Sequence, residues 1–496
     1  MLSHIRRILA AVAIAMLTLL FLDFTGTAHA WFGWMARIQF LPAVLALNVG
    51  VIVTLCALTL LFGRIYCSVI CPLGIMQDLL ARLPRLRKRH KPSYSYSPER
   101  RWLRYGVLAL FILAMLTGVG SFVALLAPYS SFGRIVSQLL SPLYLWGNNL
   151  LAAIAEHYDS YRFYSVDVWL KSLPTLLTAA ATFALLAVLA WRNGRTYCNT
   201  ICPVGTVLGF LSRFSLLRIR FDEEKCRHCS QCTKHCKAAC IDYKTLSVDH
   251  SRCVVCGNCI DSCQFGALRY SLPRAKQTET QPAADHTADA NRRQFLAIAA
   301  TATVGTMLAQ QKKKVDGGLA AIEEKEIVER HTPLTPPGSQ SARHMQRHCT
   351  GCQLCVQACP NDVLRPSASL LTLMQPTMGY ERGYCRPECT RCSQVCPAGA
   401  IRPITTEQKS GTQIGHAVWV RKNCLPLTDG VSCGNCERHC PTGAIQMIPS
   451  IEDDWDAPLI PAVNTAKCIG CGACEHLCPA RPTAIYVEGH ESHREI

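Results

Sequence analysis

Thirty of the 496 residues are Cys, and most fall in tight runs that end in C-x-x-x-C. Several soft thiolates aimed at one small volume suit an iron–sulfur cluster. A disulfide framework has no reason to repeat one spacing. Two runs come first, Cys226-x2-Cys229-x2-Cys232-x3-Cys236 and Cys253-x2-Cys256-x2-Cys259-x3-Cys263. This is the two-cluster ferredoxin arrangement, in which the fourth Cys of each run crosses to the other cluster. One cluster then takes Cys226, Cys229, Cys232 and Cys263, and the other takes Cys253, Cys256, Cys259 and Cys236. Lys237 and Gln264 stand where Pro commonly follows, a departure that touches the turn and not the ligands. Zinc ribbons use C-x2-C pairs, so zinc is a poor reading.

Four more runs lie downstream, each followed by Pro. They are Cys349-x2-Cys352-x2-Cys355-x3-Cys359, Cys385-x3-Cys389-x2-Cys392-x3-Cys396, Cys424-x8-Cys433-x2-Cys436-x3-Cys440 and Cys468-x2-Cys471-x2-Cys474-x3-Cys478. The six runs together provide thiolates for six [4Fe–4S] clusters. Six Cys are left over. Cys56 lies in an apolar run and reads as a small packed residue, and Cys240 reads as inert or as an alternative ligand beside Cys236. Cys67 with Cys71, and Cys198 with Cys202, are spaced i, i+4 and so share a helix face. A further cluster, redox-active disulfides and helix-end packing all fit that spacing.

The elements that must position these thiols begin with four apolar runs, 8–22, 41–62, 103–127 and 173–191, expected to cross a hydrocarbon core of about 30 Å. The mean hydropathy of +0.15 suits a chain that is part membrane and part polar domain. The loop from Gly63 to Arg104 is rich in Arg and Lys, whereas that between the third and fourth runs holds only Arg134, Arg162 and Lys171. The positive-inside rule therefore places the amino terminus, the 63–104 loop and the residues just after Trp191 in the cytoplasm. Much of the net charge of +17 flanks these runs, and with no nucleic-acid motif beside it nucleic-acid binding is not expected. An internal repeat, G-R-x-Y-C-x-x-I-C-P, occupies 63–72 and again 194–203, so two hairpins of one sense deliver it to the same membrane face. After a polar linker at 275–290, Asn291-Arg292-Arg293-Gln294-Phe295-Leu296 opens an apolar run of about 22 Å, short for a span. It reads as an internal twin-arginine signal and anchor over 291–312, a fifth short span, leaving 340–490 outside the cytoplasm.

The expected fold is an α-helical membrane domain over 1–215 with two α+β ferredoxin-like domains, a two-cluster one at 216–274 and a four-cluster one at 340–490. No C-x-x-C-H is present, so c-type haem is not expected. No G-x-G-x-x-G or P-loop appears, against built-in flavin or nucleotide chemistry.

The first 272 residues resemble membrane ferredoxins of the NapH/MauN type, with four spans, two C-x-x-x-C-P elements and a two-cluster tail. The remainder resembles the twin-arginine-exported four-cluster ferredoxins of the NapG/MauM type, here joined to the first in one chain. That resemblance implies that the first exported motif pairs with the fourth, and the second with the third. Cys478 would then complete the set of Cys349, Cys352 and Cys355, and Cys359 that of Cys468, Cys471 and Cys474. Likewise Cys440 would complete Cys385, Cys389 and Cys392, and Cys396 would complete Cys424, Cys433 and Cys436. It also implies a quinol dehydrogenase module in the bacterial inner membrane, drawing on the quinone pool and passing electrons to a periplasmic redox partner. A quinol pocket is expected near the membrane edge, around 132–152. A different class of function is a maturation or regulatory polyferredoxin that supplies electrons for assembly of another metalloenzyme.

Overall fold

The computed structural model describes residues 2–23, 25–82, 94–272, 325–451, 454 and 457–496. The linker at 275–290 and the twin-arginine segment at 291–312 lie outside these residues. The described parts of Met1–Leu272 and Lys325–Ile496 pack as one unit.

Four apolar helices organise the first half: α1 (Leu2–Leu22), α2 (Val49–Phe62), α3 (Arg101–Thr117) and α4 (Leu173–Asn193). Among the described residues, two helices are long and apolar enough to cross a membrane, Ser3–Leu22 and Leu173–Asn193. The other two expected runs are broken. The 41–62 run divides where Leu47 takes a positive φ and Asn48 caps α2, its side chain accepting from the Val51 amide at 3.3 Å. The 103–127 run divides at Gly118, whose left-handed backbone ends α3 before a short helix over Gly120–Leu126.

The repeat has a structural logic. Gly63 and Gly194 end α2 and α4 with φ of 72° and 69°, a turn that glycine makes without strain. A short helix then carries Cys67 or Cys198. Cys71 and Cys202 take the N-cap positions of two further helices, Pro72–Leu80 and Pro203–Ser212, with the following Pro at the first helical position. The C-P dipeptide is thus a helix start, where a missing N–H costs nothing.

The two Cys-rich segments dock at opposite ends of this bundle. At one end, the Ser3 hydroxyl at the start of α1 bonds Asp261, and the Tyr270 hydroxyl donates to the Phe62 carbonyl at the close of α2 (2.9 Å). At the other end, Lys171 just before α4 donates to the Val356 carbonyl (3.1 Å), and the Ser121 amide beyond α3 donates to the Leu371 carbonyl (3.4 Å). At that second end too, a π-helical turn at Val136–Leu140 presents Ser137 and Gln138 to the Gln353 amide oxygen at 3.2 and 2.8 Å. The sheets among the described residues are antiparallel pairs, such as Arg218–Phe221 with Leu268–Ser271 and Thr412–Trp419 with Ile485–Glu495.

Candidate iron–sulfur sites and a buried thiol cluster

Several of the ferredoxin-type loops curl through residues with positive φ, which turns successive Cys toward one side. Ser230 and Gly257 serve this way in the first segment, and Gly351, Gln353, Gly470 and Gly472 in the second. Several thiols accept backbone N–H groups: Cys349 from Gly351 (3.4 Å), Cys263 from Ala267 (3.3 Å) and Cys440 from Ala444 (3.2 Å). Burial pushes the Cys352 and Cys471 thiols up to about 12, so without metal they are neutral. Iron binding would displace those protons. Among the described residues no three His, Cys, Asp or Glu side chains converge as for a single metal ion. Soft donors arranged around a shared gap, with N–H groups aimed at the sulfurs, fit a cluster instead.

In the segment over 216–272 the thiols gather in two groups. Cys226, Cys229, Cys232 and Cys263 line one cleft. Cys236 lies within electrostatic reach of Cys256 and Cys259, and Cys259 in turn of Cys253. Cys240 is fully buried, with its sulfur 3.6 Å from that of Cys236.

In the four-cluster segment the inherited pairing is wrong. Cys359 shares a cleft with Cys385, Cys389 and Cys392, and Cys478 shares one with Cys424, Cys433 and Cys436. Cys396 lies within electrostatic reach of Cys349, Cys352 and Cys355, and Cys440 of Cys468 and Cys471. The first motif therefore pairs with the second and the third with the fourth. The reason is local. The short helices Leu354–Ala358 and Arg391–Val395 pack together, as do Asn435–Arg438 and Ala473–Leu477, and closing short loops costs less entropy than closing long ones. The two halves meet where the Cys385 amide donates to the Cys471 carbonyl at 2.9 Å. EPR difference spectra test this pairing. Cys478→Ser and Cys433→Ser are expected to lose the same cluster signal, and Cys352→Ser a different one; a match of Cys478→Ser with Cys352→Ser would restore the first-with-fourth pairing.

Comparison with known proteins agrees with this chemistry. A family described as a 4Fe-4S binding domain matches residues 246–269 and 344–365, and a 4Fe-4S dicluster domain matches 431–482, which spans the third and fourth motifs from Cys433 onward. A second family described as a 4Fe-4S binding domain matches 44–92 and 175–222, the two halves of the internal repeat. The ferredoxin-type protein MauM of Methylobacillus flagellatus is 34% identical over 32% of this chain and 68% of its own length. The ferredoxin-type protein NapF of Escherichia coli K12 is 31% identical over 32% of this chain and 87% of its own length. The chain belongs to the ferredoxin-type iron–sulfur proteins. A protein of Escherichia coli K12 named for electron transport, YccM, is 27% identical over 47% of this chain, which spans 58% of that relative's length. No solved structure matches.

This ferredoxin-type protein also brings together residues that the motif reading left without roles. Lys237 is one of them. Its ammonium lies 2.9 Å from the Asp78 carboxylate, which also receives Arg195 Nε at 2.7 Å and Arg6 Nη1 at 3.0 Å. All four side chains are buried. The departure from Pro after Cys236 thus fastens the two-cluster segment to α1 and to both halves of the repeat. The signal was present in the sequence, since an Arg recurs at the second position of each G-R-x-Y-C element. The four thiols Cys67, Cys71, Cys198 and Cys202 are likewise buried and lie within electrostatic reach of one another.

Proposed function

We propose that the protein is a membrane-bound quinol dehydrogenase module that carries electrons through its clusters to a periplasmic redox partner. In this reading all four apolar runs cross the bacterial inner membrane, the two broken ones as interrupted helices whose freed backbone groups are covered by neighbours. The observation that carries the reading is the docking of the two Cys-rich segments on opposite ends of one helical bundle, as an electron path across a membrane requires. The [4Fe–4S] clusters, when bound, supply one-electron carriers, and the chain's residues hold them in a fixed series.

A cavity of about 300 Å³ beside the end of α1 offers a place for the quinol ring. It is lined by Leu20, Asp23, His29, Arg37, Ala358 and Arg391, among others, with no residue from 132–152. Ala358 adjoins the ligand Cys359, and Val395 at the same wall adjoins Cys396. Asp23 is held in place by accepting the Gly26 and His29 amides at 2.8 and 3.0 Å. Burial lowers the affinity of His29 for a proton, while the Asp23 carboxylate opposes that shift. A neutral imidazole beside a carboxylate can take a proton from a quinol hydroxyl as the ring gives up electrons.

Adding a reduced quinol to the anaerobic, oxidised full-length protein is expected to bleach the cluster absorbance, with His29→Ala slowing that reduction by about 100-fold. No bleaching, with the clusters intact, would sink the reading. It would favour the maturation role if a soluble cytoplasmic-type reductant then reduced every cluster.

A further inference from the structure

The repeat's four thiols are not spent on any of the six ferredoxin-type clusters. We propose that Cys67, Cys71, Cys198 and Cys202 together ligate one additional iron–sulfur centre, built jointly by the two halves of the repeat. Each family match over 44–92 and 175–222 contains a single C-x-x-x-C pair, so neither half could complete such a site alone.

The packing joins the halves reciprocally. Arg64 Nη2 donates to the Cys198 carbonyl at 3.2 Å, and Arg195 Nη1 donates to the Cys67 carbonyl at 2.6 Å. Gly74 and Gly205 take equivalent places, where a Cβ would overlap the Cys67 and Cys198 carbonyls respectively. The result is an approximate two-fold arrangement with two thiols from each side. All four are 3–4% exposed, none is bonded to another, and every pair lies within electrostatic reach.

Without metal, burial pushes the Cys71, Cys198 and Cys202 thiols up, as it does at the ferredoxin-type sites, but the donors and the buried charge around these sulfurs favour a bound anionic centre. Gln77 Nε2 donates to Cys198 Sγ at 3.3 Å, the Gly205 amide to Cys202 Sγ at 3.4 Å, and Arg64 Nη2 to Cys67 Sγ at 3.7 Å. Arg64 is fully buried, and its other bonds go to the Asn199 side chain and the Ser251 and Cys198 carbonyls, none of which carries charge. Nearby, Asp78 is the one carboxylate among the described residues that balances Arg6, Arg195 and Lys237. Buried cations in such excess require an anion. Four thiolates around iron and sulfide carry net negative charge and meet that need, whereas four thiols do not.

The position is also that of a missing link. Toward the two-cluster segment, Lys237 bridges Asp78 to the neighbourhood of Cys256. Toward the four-cluster segment, Tyr66 lies near Cys67, Cys71 and Cys202, and Tyr129 lies near Tyr66, Cys352 and Cys396. Service as an electron step between the two segments rests on the conduit reading, but the ligation does not.

The test uses full-length protein purified anaerobically. Iron, acid-labile sulfide and Mössbauer spectra are compared for the wild type, Cys71→Ser/Cys202→Ser and Cys56→Ser. The wild type and Cys56→Ser are expected to hold iron and sulfide beyond what six four-iron clusters account for, and the double variant to fall back to the six-cluster content. A wild-type content equal to six clusters would overturn the proposal, even if the double variant failed to fold. So would a double variant that keeps the full wild-type content. Quinol-driven bleaching is measured on the same samples: its absence with the excess iron present would remove the conduit reading and leave this centre standing.

Discussion

Asp78→Asn is expected to destabilise the protein by about 3–5 kcal/mol, the usual cost of breaking a buried ion pair from one side. Among the described residues the carboxylate is the single acidic partner of Arg6, Arg195 and Lys237, and all of these groups are at most 5% exposed. Removing its charge leaves three buried cations on three separate elements repelling one another. Burial alone would raise the Asp78 carboxyl, but Arg195, Lys237 and Arg6 hold it far below the usual carboxylate range. Its stabilising contribution is therefore fully present above the ordinary carboxylate range and is lost only as pH falls below that range. Denaturant unfolding of the detergent-solubilised protein measures the loss. A change under 1 kcal/mol would mean that the network does not hold the two-cluster segment to the bundle.

Removing iron is expected to cost residues 325–496 most of their ordered structure while α1 to α4 persist. The sheets there are two-stranded, and a single hairpin is marginal in water. The helices that carry the ligands, such as Leu354–Ala358 and Ala473–Leu477, are about one turn long. Such elements fall well below the length at which helices hold themselves. Structural zinc sites contribute about 10–16 kcal/mol, and a four-thiolate cluster is expected to act on that order. Limited proteolysis after chelation checks this. Rapid cleavage throughout 325–496, with the bundle resistant, is the expected pattern, and an equally resistant apo domain would contradict it.

The ligand motifs were legible because cluster chemistry acts through residue type at short spacing, which a linear chain displays directly. The same logic carried over to the crossing ligands Cys236 and Cys263, whose partners lie within one small domain. It did not reach Cys359, Cys396, Cys440 and Cys478, whose pairing came from the family resemblance alone, since four similar motifs allow several closures and only helix packing chooses among them. Continuous apolar character over 41–62 and 103–127 concealed the breaks at Asn48 and Gly118, because hydropathy measures burial and not backbone angle. Lys237 looked like a lost Pro. Its role depends on Asp78, some 160 positions away in the chain, and no local pattern carries such a partnership.

Pairing between neighbouring motifs also bears on how the chain comes into being at the ribosome. By Cys396 the nascent polypeptide already holds every thiol of the two groups that the first and second motifs build together. A first-with-fourth closure would have kept Cys349, Cys352 and Cys355 waiting, unprotected, until Cys478 emerged. Neighbour pairing would let cofactor insertion follow translation and would shorten the interval in which bare thiols meet oxidants.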